Sequence, residues 1–225
     1  MIKIDRIIRS RRKTISLQIS KGAKLTVRAP IGISQKDIES IVEKKRSWIE
    51  KKTKDFQEQE NNKPMASYED GSVFYYLGFQ IKLVINKEKN PVFRFSDEGF
   101  YISEGALENA PFLFRFFYWE QSKRLFTKKA IDLSKKMGVQ FNELKISNAK
   151  RIWGSCSRKG NLNINWRLLL APVYVIDYIL IHELSHRFEM NHSQRFWNIV
   201  ARFDPNYMQS EKWLKENSLL LEFEF

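Results

Sequence analysis

All three histidines of this 225-residue chain lie within eleven residues, and their spacing restricts how the surrounding chain can fold. His182 and His186 are four residues apart, so a helix places their imidazoles one above the other on one face. His192 comes six residues after His186, which is too far to share that helix face. The chain must therefore turn after Met190 to bring the third imidazole back, and Asn191 tolerates the left-handed backbone of such a turn.

The segment His182-Glu183-Leu184-Ser185-His186 has the pattern of a catalytic metal site. Neutral imidazole nitrogens at about 2.0–2.1 Å suit tetrahedral Zn²⁺, and three protein ligands leave the fourth position open for water. Glu183 lies about 100° around the helix from His182, near the ion without being a natural ligand. We therefore predict His182, His186 and His192 as zinc ligands, and Glu183 as the general base that accepts a proton from water.

The third ligand has an alternative. The spacing to His192 equals that of the metzincin pattern H-E-x-x-H-x-x-G-x-x-H, but Glu189 stands at its glycine position. A gluzincin instead uses a glutamate from a later helix, for which Glu211 is the candidate. Three tyrosines are candidate oxyanion donors, and the sequence does not choose among them: Tyr174, Tyr178 and Tyr207.

Apolar periodicity indicates strands and one helix in the first half of the chain. Thr14–Ile19 and Lys24–Arg28 alternate as strands do, and Ser34 begins a capping box that predicts a helix. Residues 57–64 are polar and predict a linker. Four short β-like runs follow between Val73 and Ile102.

The second half is predominantly helical. Phe112–Met137 predicts a long helix that stops at Gly138, and Pro172 opens a helix to about Met190. We also expect short strands at residues 144–147 and 162–166, and two further helices near Phe196 and Trp213.

These elements predict an α+β fold in two parts. Residues 1–106 form a β-rich, basic N-terminal region with a helix, and residues 107–225 form a helical hydrolase domain with a small sheet. Apolar residues make up 43% of the chain, enough for a sizeable core, and the single cysteine, Cys156, excludes an internal disulfide. We expect Cys156 to be a small turn or core residue rather than a metal ligand.

The formal net charge of +13 favours polyanionic partners. Residues 1–60 hold 16 Lys and Arg against 8 Asp and Glu, so nucleic acid or a nucleotide is a possible partner through this basic surface. No RNP, zinc-finger or helix-turn-helix signature accompanies the charge. The longest apolar stretch, Leu168–Ile181, is shorter than a membrane span of about 20 residues. We therefore expect a cytoplasmic protein without a membrane partner.

The chain resembles the YgjP-like metallopeptidase family, which is related to the SprT-like zincins. The resemblance implies a zincin fold, zinc held by His182, His186 and His192, Glu183 as catalytic base, and a substrate bound along an edge strand. For that strand, Asn161–Leu168 is the candidate. The resembling segments are Arg11–Leu17, Arg28-Ala29-Pro30, Trp153–Ser157, Gly160, Asn165–Leu168, Pro172, Asp177-Tyr178, His182–His186, Asn191-His192-Ser193 and Phe196-Trp197.

A zinc-dependent metallopeptidase that cleaves peptides or proteins is the predicted function. Two alternatives stay open: a metal-dependent hydrolase of nucleotide phosphoanhydrides such as UTP, and a protease associated with nucleic acid.

Overall fold

The structure, a computed structural model, describes residues 2–20, 22–61, 65–87, 90–219 and 223–225. It divides into two compact units, residues 1–63 and 64–225. Each unit has its own hydrophobic core, and both combine helices with small sheets. The predicted α+β class is therefore confirmed.

The first unit is a three-stranded sheet covered on one face by helix. Its elements are β1 (Arg6–Ser10), β2 (Ser16–Ser20), β3 (Lys24–Pro30), α1 (Gln35–Lys44) and α2 (Arg46–Asn61). Strand β3 lies in the centre, parallel to β1 and antiparallel to β2. Alternate residues of β3 point into the core: Leu25, Val27 and Ala29 are buried with Ile38, Val42 and Ile49 of the helices.

Helix α1 begins as its sequence predicts. The Ser34 hydroxyl accepts a hydrogen bond from the Asp37 backbone N–H at 3.1 Å, which satisfies one free donor of the first turn. Of the predicted linker, residues 57–61 are instead helical, as the end of α2, and residues 62–64 lie outside the described part of the chain.

The second unit begins with a four-stranded sheet. Its strands are β4 (Val73–Tyr76), β5 (Phe79–Asn86), β6 (Phe93–Ser96) and β7 (Gly99–Ser103), in the order β4-β5-β7-β6. The long helix α3 (Ala110–Met137) packs on this sheet, and the rings of Phe74 and Phe114 stack with centroids 4.1 Å apart. Because this sheet shares one core with α3, the boundary between the compact units precedes it and differs from the expected division at 106/107.

A second, smaller sheet and three helices complete this unit. The strands are β8 (Glu143–Ser147), β9 (Gly154–Cys156) and β10 (Asn161–Asn165), and the helices are α4 (Val173–Ser185), α5 (Gln194–Phe203) and α6 (Tyr207–Glu216). Strand β10 lies between β8 and β9. The proposed edge strand Asn161–Leu168 is therefore wrong: residues 161–165 are the central strand, residues 166–168 begin a 3₁₀ turn, and β9 is at the edge.

No helix in the described ranges combines the length and the apolarity that crossing a bilayer requires.

Candidate metal centre

Helix α4 carries the first two histidines out of the core. Most of its first three turns are apolar, and Val175, Ile176 and Leu180 are fully buried, while Asp177 faces Lys129 of α3 and forms an ion pair with it. The helix ends at Ser185, with His186 as its C-cap, about five residues before the expected end at Met190. The turn that follows leads through Asn191 to His192, just before α5.

The three histidines meet at the end of α4. Their ring centroids are 4.9–5.3 Å apart, and one potential ligand atom from each lies within 4.8 Å of the others. The Nε2 atoms of His182 and His192 are 3.0 Å apart. Phe196 on α5 is fully buried and contacts all three rings, with centroid distances of 4.6–4.9 Å. Its packing restricts the orientations of the imidazoles.

The protonation of these rings suits metal binding. Burial, reinforced by the neighbouring imidazoles, lowers the pKa of His182 to about 3, and burial also lowers the pKa of His186. Both rings are therefore neutral at pH 7, as a metal ligand must be. The Nδ1 atom of His186 lies 3.1 Å from the Glu189 carbonyl oxygen. A hydrogen bond donated there fixes the tautomer that leaves Nε2 with a free lone pair.

The donor set fits a divalent metal ion. One ion bound by both nitrogens would account for the close pair of Nε2 atoms on His182 and His192, because each nitrogen would offer a lone pair to the same centre. Two nitrogens at about 2.0–2.1 Å from a tetrahedral ion lie about 3.3 Å from each other, close to the observed 3.0 Å. Within the described chain, the group that can hold a metal consists of His182, His186 and His192. It includes neither Glu211 nor Cys156.

Glu183 lies beside this cluster, and its side chain packs closely against a glycine of β9. Its side chain is only 5% exposed, and burial raises the pKa of its carboxyl group to about 8. A Cβ atom at Gly154 of β9 would lie 2.6 Å from the Glu183 Oε1 atom and 2.8 Å from its Cγ atom. Only glycine therefore lets the edge strand approach the carboxylate this closely.

A pocket of about 370 Å³ opens over these groups. His182, Glu183 and Gly154 line it, and Tyr178 and Glu211 lie on the same pocket wall. The Tyr178 hydroxyl donates a hydrogen bond to Glu211 Oε1 at 3.0 Å, and burial beside Glu211 raises the pKa of Tyr178. The alternative ligand Glu211 is thus paired with a tyrosine. Tyr178 is also the only one of the three candidate tyrosines that lines this pocket.

Gly154 and Asn165 belong to segments that resemble the family, but sequence reasoning assigned neither of them a structural role. The role of Gly154 has no local signal, because its need for glycine comes from a helix about 30 residues later. Asn165 is buried at the end of β10, and its Nδ2 atom donates to the carbonyl oxygens of Ala149 and Ile152 at 2.7 and 3.0 Å. It thereby holds the loop that brings residues 151–153 to the pocket. Its sequence signals were its place in the resembling segment Asn165–Leu168 and its polar side chain at the end of a predicted strand.

Cys156, expected in a turn or in the core, lies on the edge strand β9 and packs against the core of the second unit. Its side chain is half-buried on β9, and burial together with the nearby Glu183 carboxylate raises the pKa of the thiol. The protonated thiol is the inert form of cysteine.

Comparison with protein families assigns the chain. A family model described as the YgjP-like metallopeptidase domain matches residues 13–217. The chain belongs to the YgjP-like metallopeptidase family. This confirms the resemblance found in the sequence, since the match includes the histidine cluster, β9 and most of both compact units. Membership makes the chain a metal-dependent hydrolase of the peptidase class, for which a divalent metal and a peptide or protein substrate are implied.

Other comparisons add little. Among solved structures, the chain is similar to the metallopeptidase zymogen abylysin of Pyrococcus abyssi, with 22% identity and a TM-score of 0.38. That alignment covers 41% of this chain and 95% of abylysin. No curated protein sequence matches the chain.

Proposed function

We propose that this YgjP-like protein is a zinc-dependent peptidase, with His182, His186 and His192 as the metal ligands and Glu183 as the general base. The observation that carries the proposal is the convergence of three imidazoles, two of them kept neutral by burial, beside one buried carboxylate.

The chemistry of the donors favours zinc over harder cations. Imidazole nitrogen is a good ligand for Zn²⁺, whereas Mg²⁺ and Ca²⁺ prefer carboxylate, carbonyl and water oxygens. A bound Zn²⁺ supplies Lewis-acid polarisation of the scissile carbonyl and lowers the pKa of water toward 7.

The residues of the chain supply the proton transfers and the positioning. Glu183 accepts the proton of the attacking water and returns it to the leaving amine. A divalent cation bound by the three neutral imidazoles would favour the ionised Glu183 carboxylate, and would so oppose the effect of burial on its pKa. Gly154 and the surrounding core fix the position of Glu183, and Phe196 fixes the three rings.

The edge of β9 offers a binding position for the substrate backbone. An extended peptide can add to such an edge as a further strand, and its main-chain hydrogen bonds do not depend on its sequence. Because Gly154 of β9 contacts Glu183, a peptide bound along this edge would pass the catalytic carboxylate. We therefore propose β9, in place of the excluded β10, as the strand that holds the substrate.

Metal analysis of two matched variants tests the ligand set. We expect about one zinc ion per chain in the purified protein, loss of most of it in His192→Ala, and retention of it in Glu211→Ala. Glu211 lines the pocket beside His182 but lies outside the histidine cluster, so the pair separates metal ligation from general damage to the site. Zinc loss in Glu211→Ala with retention in His192→Ala would reject His192 as the third ligand.

Activity assays with and without a chelator then test the reaction. Casein and a peptide library should be cleaved, and cleavage should stop on chelation and return with Zn²⁺. Nucleoside triphosphates, including UTP, are the comparison substrates. Chelator-sensitive hydrolysis of UTP without peptide cleavage would reject the peptidase and favour the nucleotide hydrolase.

A further inference from the structure

The sheet of the first unit has one face buried and one face open. Side chains alternate across a strand, so Ile7, Leu17 and Ile19 lie on the core side with Leu25, Val27 and Ala29, and the alternate set faces outward. Arg9, the partner of Ala29 at the end of β1, is exposed. We call this outward set the basic face. It consists of Arg6, Ile8 and Ser10 on β1, Lys24, Thr26, Arg28 and Pro30 on β3, and Ser16, Gln18 and Ser20 on β2.

The cations of the basic face lie close together. Arg6 pairs with Thr26, so it is a diagonal neighbour of both Lys24 and Arg28, which flank Thr26 on β3. From the strand spacing and the rise per residue, each diagonal is about 8 Å between Cα atoms. Lys24 and Arg28 are about 13 Å apart, a length over which one strand of B-DNA presents about four phosphates.

These charges are available to a ligand. Arg6, Lys24 and Arg28 are all exposed, and no described carboxylate lies within ion-pair distance of any of them. None of the ten strand positions of the basic face, all of which the structure describes, is Asp or Glu. The helices of the same unit differ, because their basic residues alternate with acidic ones and Arg46 bridges Glu43 and Glu50.

A further arginine adds unsatisfied donor capacity at the edge of this face. The Arg12 Nη1 atom donates to the Ser16 hydroxyl at 2.9 Å, which fixes the guanidinium next to β2. Its Nε atom is buried and has no hydrogen-bond partner in the described part of the chain. A buried donor without a partner is costly, and a movement of the guanidinium toward an anionic oxygen would relieve that cost.

We propose that the basic face binds the phosphate backbone of nucleic acid. Arginine, lysine, serine, threonine and glutamine are the residues that contact phosphate and sugar, and they make up most of this face. The basic face has no aromatic residue, so it has no platform on which bases could stack. Binding is therefore independent of base sequence.

Nucleic acid fits this face better than an anionic membrane. Peripheral membrane binding combines positive charge with protruding apolar side chains that enter the lipid. Apart from Pro30, the only apolar residue of the basic face is Ile8, and it is half-buried. A flat, polar and cationic surface matches a charged backbone that stays in water.

A salt series on the full-length protein tests the proposal. The probes are a fluorescently labelled 20-nucleotide mixed-sequence single strand and the corresponding duplex, measured by anisotropy between about 50 and 300 mM salt. The test variant is Arg6→Gln/Lys24→Gln/Arg28→Gln. Its matched control, Lys36→Gln/Lys44→Gln/Lys51→Gln, removes the same charge from exposed positions on α1 and α2. Circular dichroism melting curves establish that both variants are folded.

The loss of three phosphate contacts has a defined signature. The slope of log affinity against log salt should become shallower by about 2–3 in the test variant, and affinity at 0.1 M salt should fall about 100-fold. The control should keep the wild-type slope within about 1. Equal losses in both triple variants would show that net charge alone is responsible, and would overturn the proposal.

Two further results would also overturn it. One is the absence of measurable wild-type binding to either probe at 50 mM salt. The other is binding to vesicles that contain phosphatidylserine, lost in the test variant, without binding to nucleic acid. None of these results depends on peptidase activity, so the proposed function is tested separately.

Discussion

His186 is 9% exposed and Glu183 is 5% exposed, whereas Arg6, Lys24 and Arg28 of the basic face extend into solvent. The metal centre combines imidazoles that a buried phenylalanine and a backbone carbonyl hold in place with a carboxylate that packs against a glycine. The basic face carries exposed charges that form no ion pair in the described part of the chain, and that attract an anion through long-range electrostatics. We therefore expect substitutions in the metal centre to have large, cooperative effects, and substitutions in the basic face to have small, additive ones.

The largest effect is expected from Glu183→Gln. The amide is nearly isosteric with the carboxylate, so α4 and its two imidazoles should keep their positions and the metal should stay bound. The amide cannot accept a proton, and a positioned general base contributes about 10²–10⁴-fold to a rate. Steady-state peptide hydrolysis and metal analysis on the same sample check this. Wild-type turnover by the metal-loaded variant would rule out Glu183 as the base.

A smaller but still large effect is expected from Gly154→Ala. The added Cβ would meet the Glu183 carboxylate at 2.6 Å, so the edge strand or the carboxylate must move. A displacement of about 1 Å in a catalytic group can cost about 10²-fold, and we expect a loss of kcat of that order with the metal retained. Gly105→Ala is the matched control, because a Cβ there meets nothing within 4 Å. Equal activity in the two variants would contradict the packing argument.

The contact between Gly154 and Glu183 also marks the limit of what the sequence could predict. The meeting of three histidines followed from helical periodicity and one turn, both of which are local, and the structure brings them together. Strand β9 is three residues long, too short for an alternation to be recognised, and its contact with α4 spans about 30 residues. The end of α4 at Ser185 likewise depends on the turn that returns His192 to the site.

The division into units shows the same limit. The polar segment 57–64 indicated a break, and the compact units do divide within it. The division at 106/107 instead followed the change from strands to helices along the chain. Phe74 on β4 and Phe114 on α3 stack across that change, so a sheet and a helix that look separate in sequence form one core. Such non-local packing has no signature in composition or periodicity.

An intermediate effect is expected at the loop beside the metal centre. Asn165→Asp keeps the shape of the side chain but replaces its amide donor with an oxygen that faces the Ala149 and Ile152 carbonyl groups. Losing a buried hydrogen bond in this way costs about 1–3 kcal/mol of unfolding free energy. The loop also lines the pocket, so KM should rise more than kcat falls.

Asn163→Asp is the control for this substitution. It lies on the same strand and makes the same change of charge, but its side chain is exposed. Urea unfolding curves and Michaelis constants for both variants measure the difference. If Asn163→Asp lowers the unfolding free energy as much as Asn165→Asp does, the hydrogen bonds from Asn165 to the loop do not stabilise the protein specifically.

The smallest effect is expected from one charge of the basic face. Arg28→Gln removes one phosphate contact, so the slope of log affinity against log salt should become shallower by about 0.7–0.9, with peptide hydrolysis unchanged. Arg6→Gln and Lys24→Gln should each do the same, and the three changes in slope should sum to that of the triple variant.

In the metal centre, by contrast, Glu183→Gln and Gly154→Ala act on one carboxylate. Their double variant should therefore lose little more activity than Glu183→Gln alone, because residues that act as a unit are not additive. Additive losses in the metal centre, or a single basic-face substitution that abolishes binding, would show that the two regions do not differ in this way.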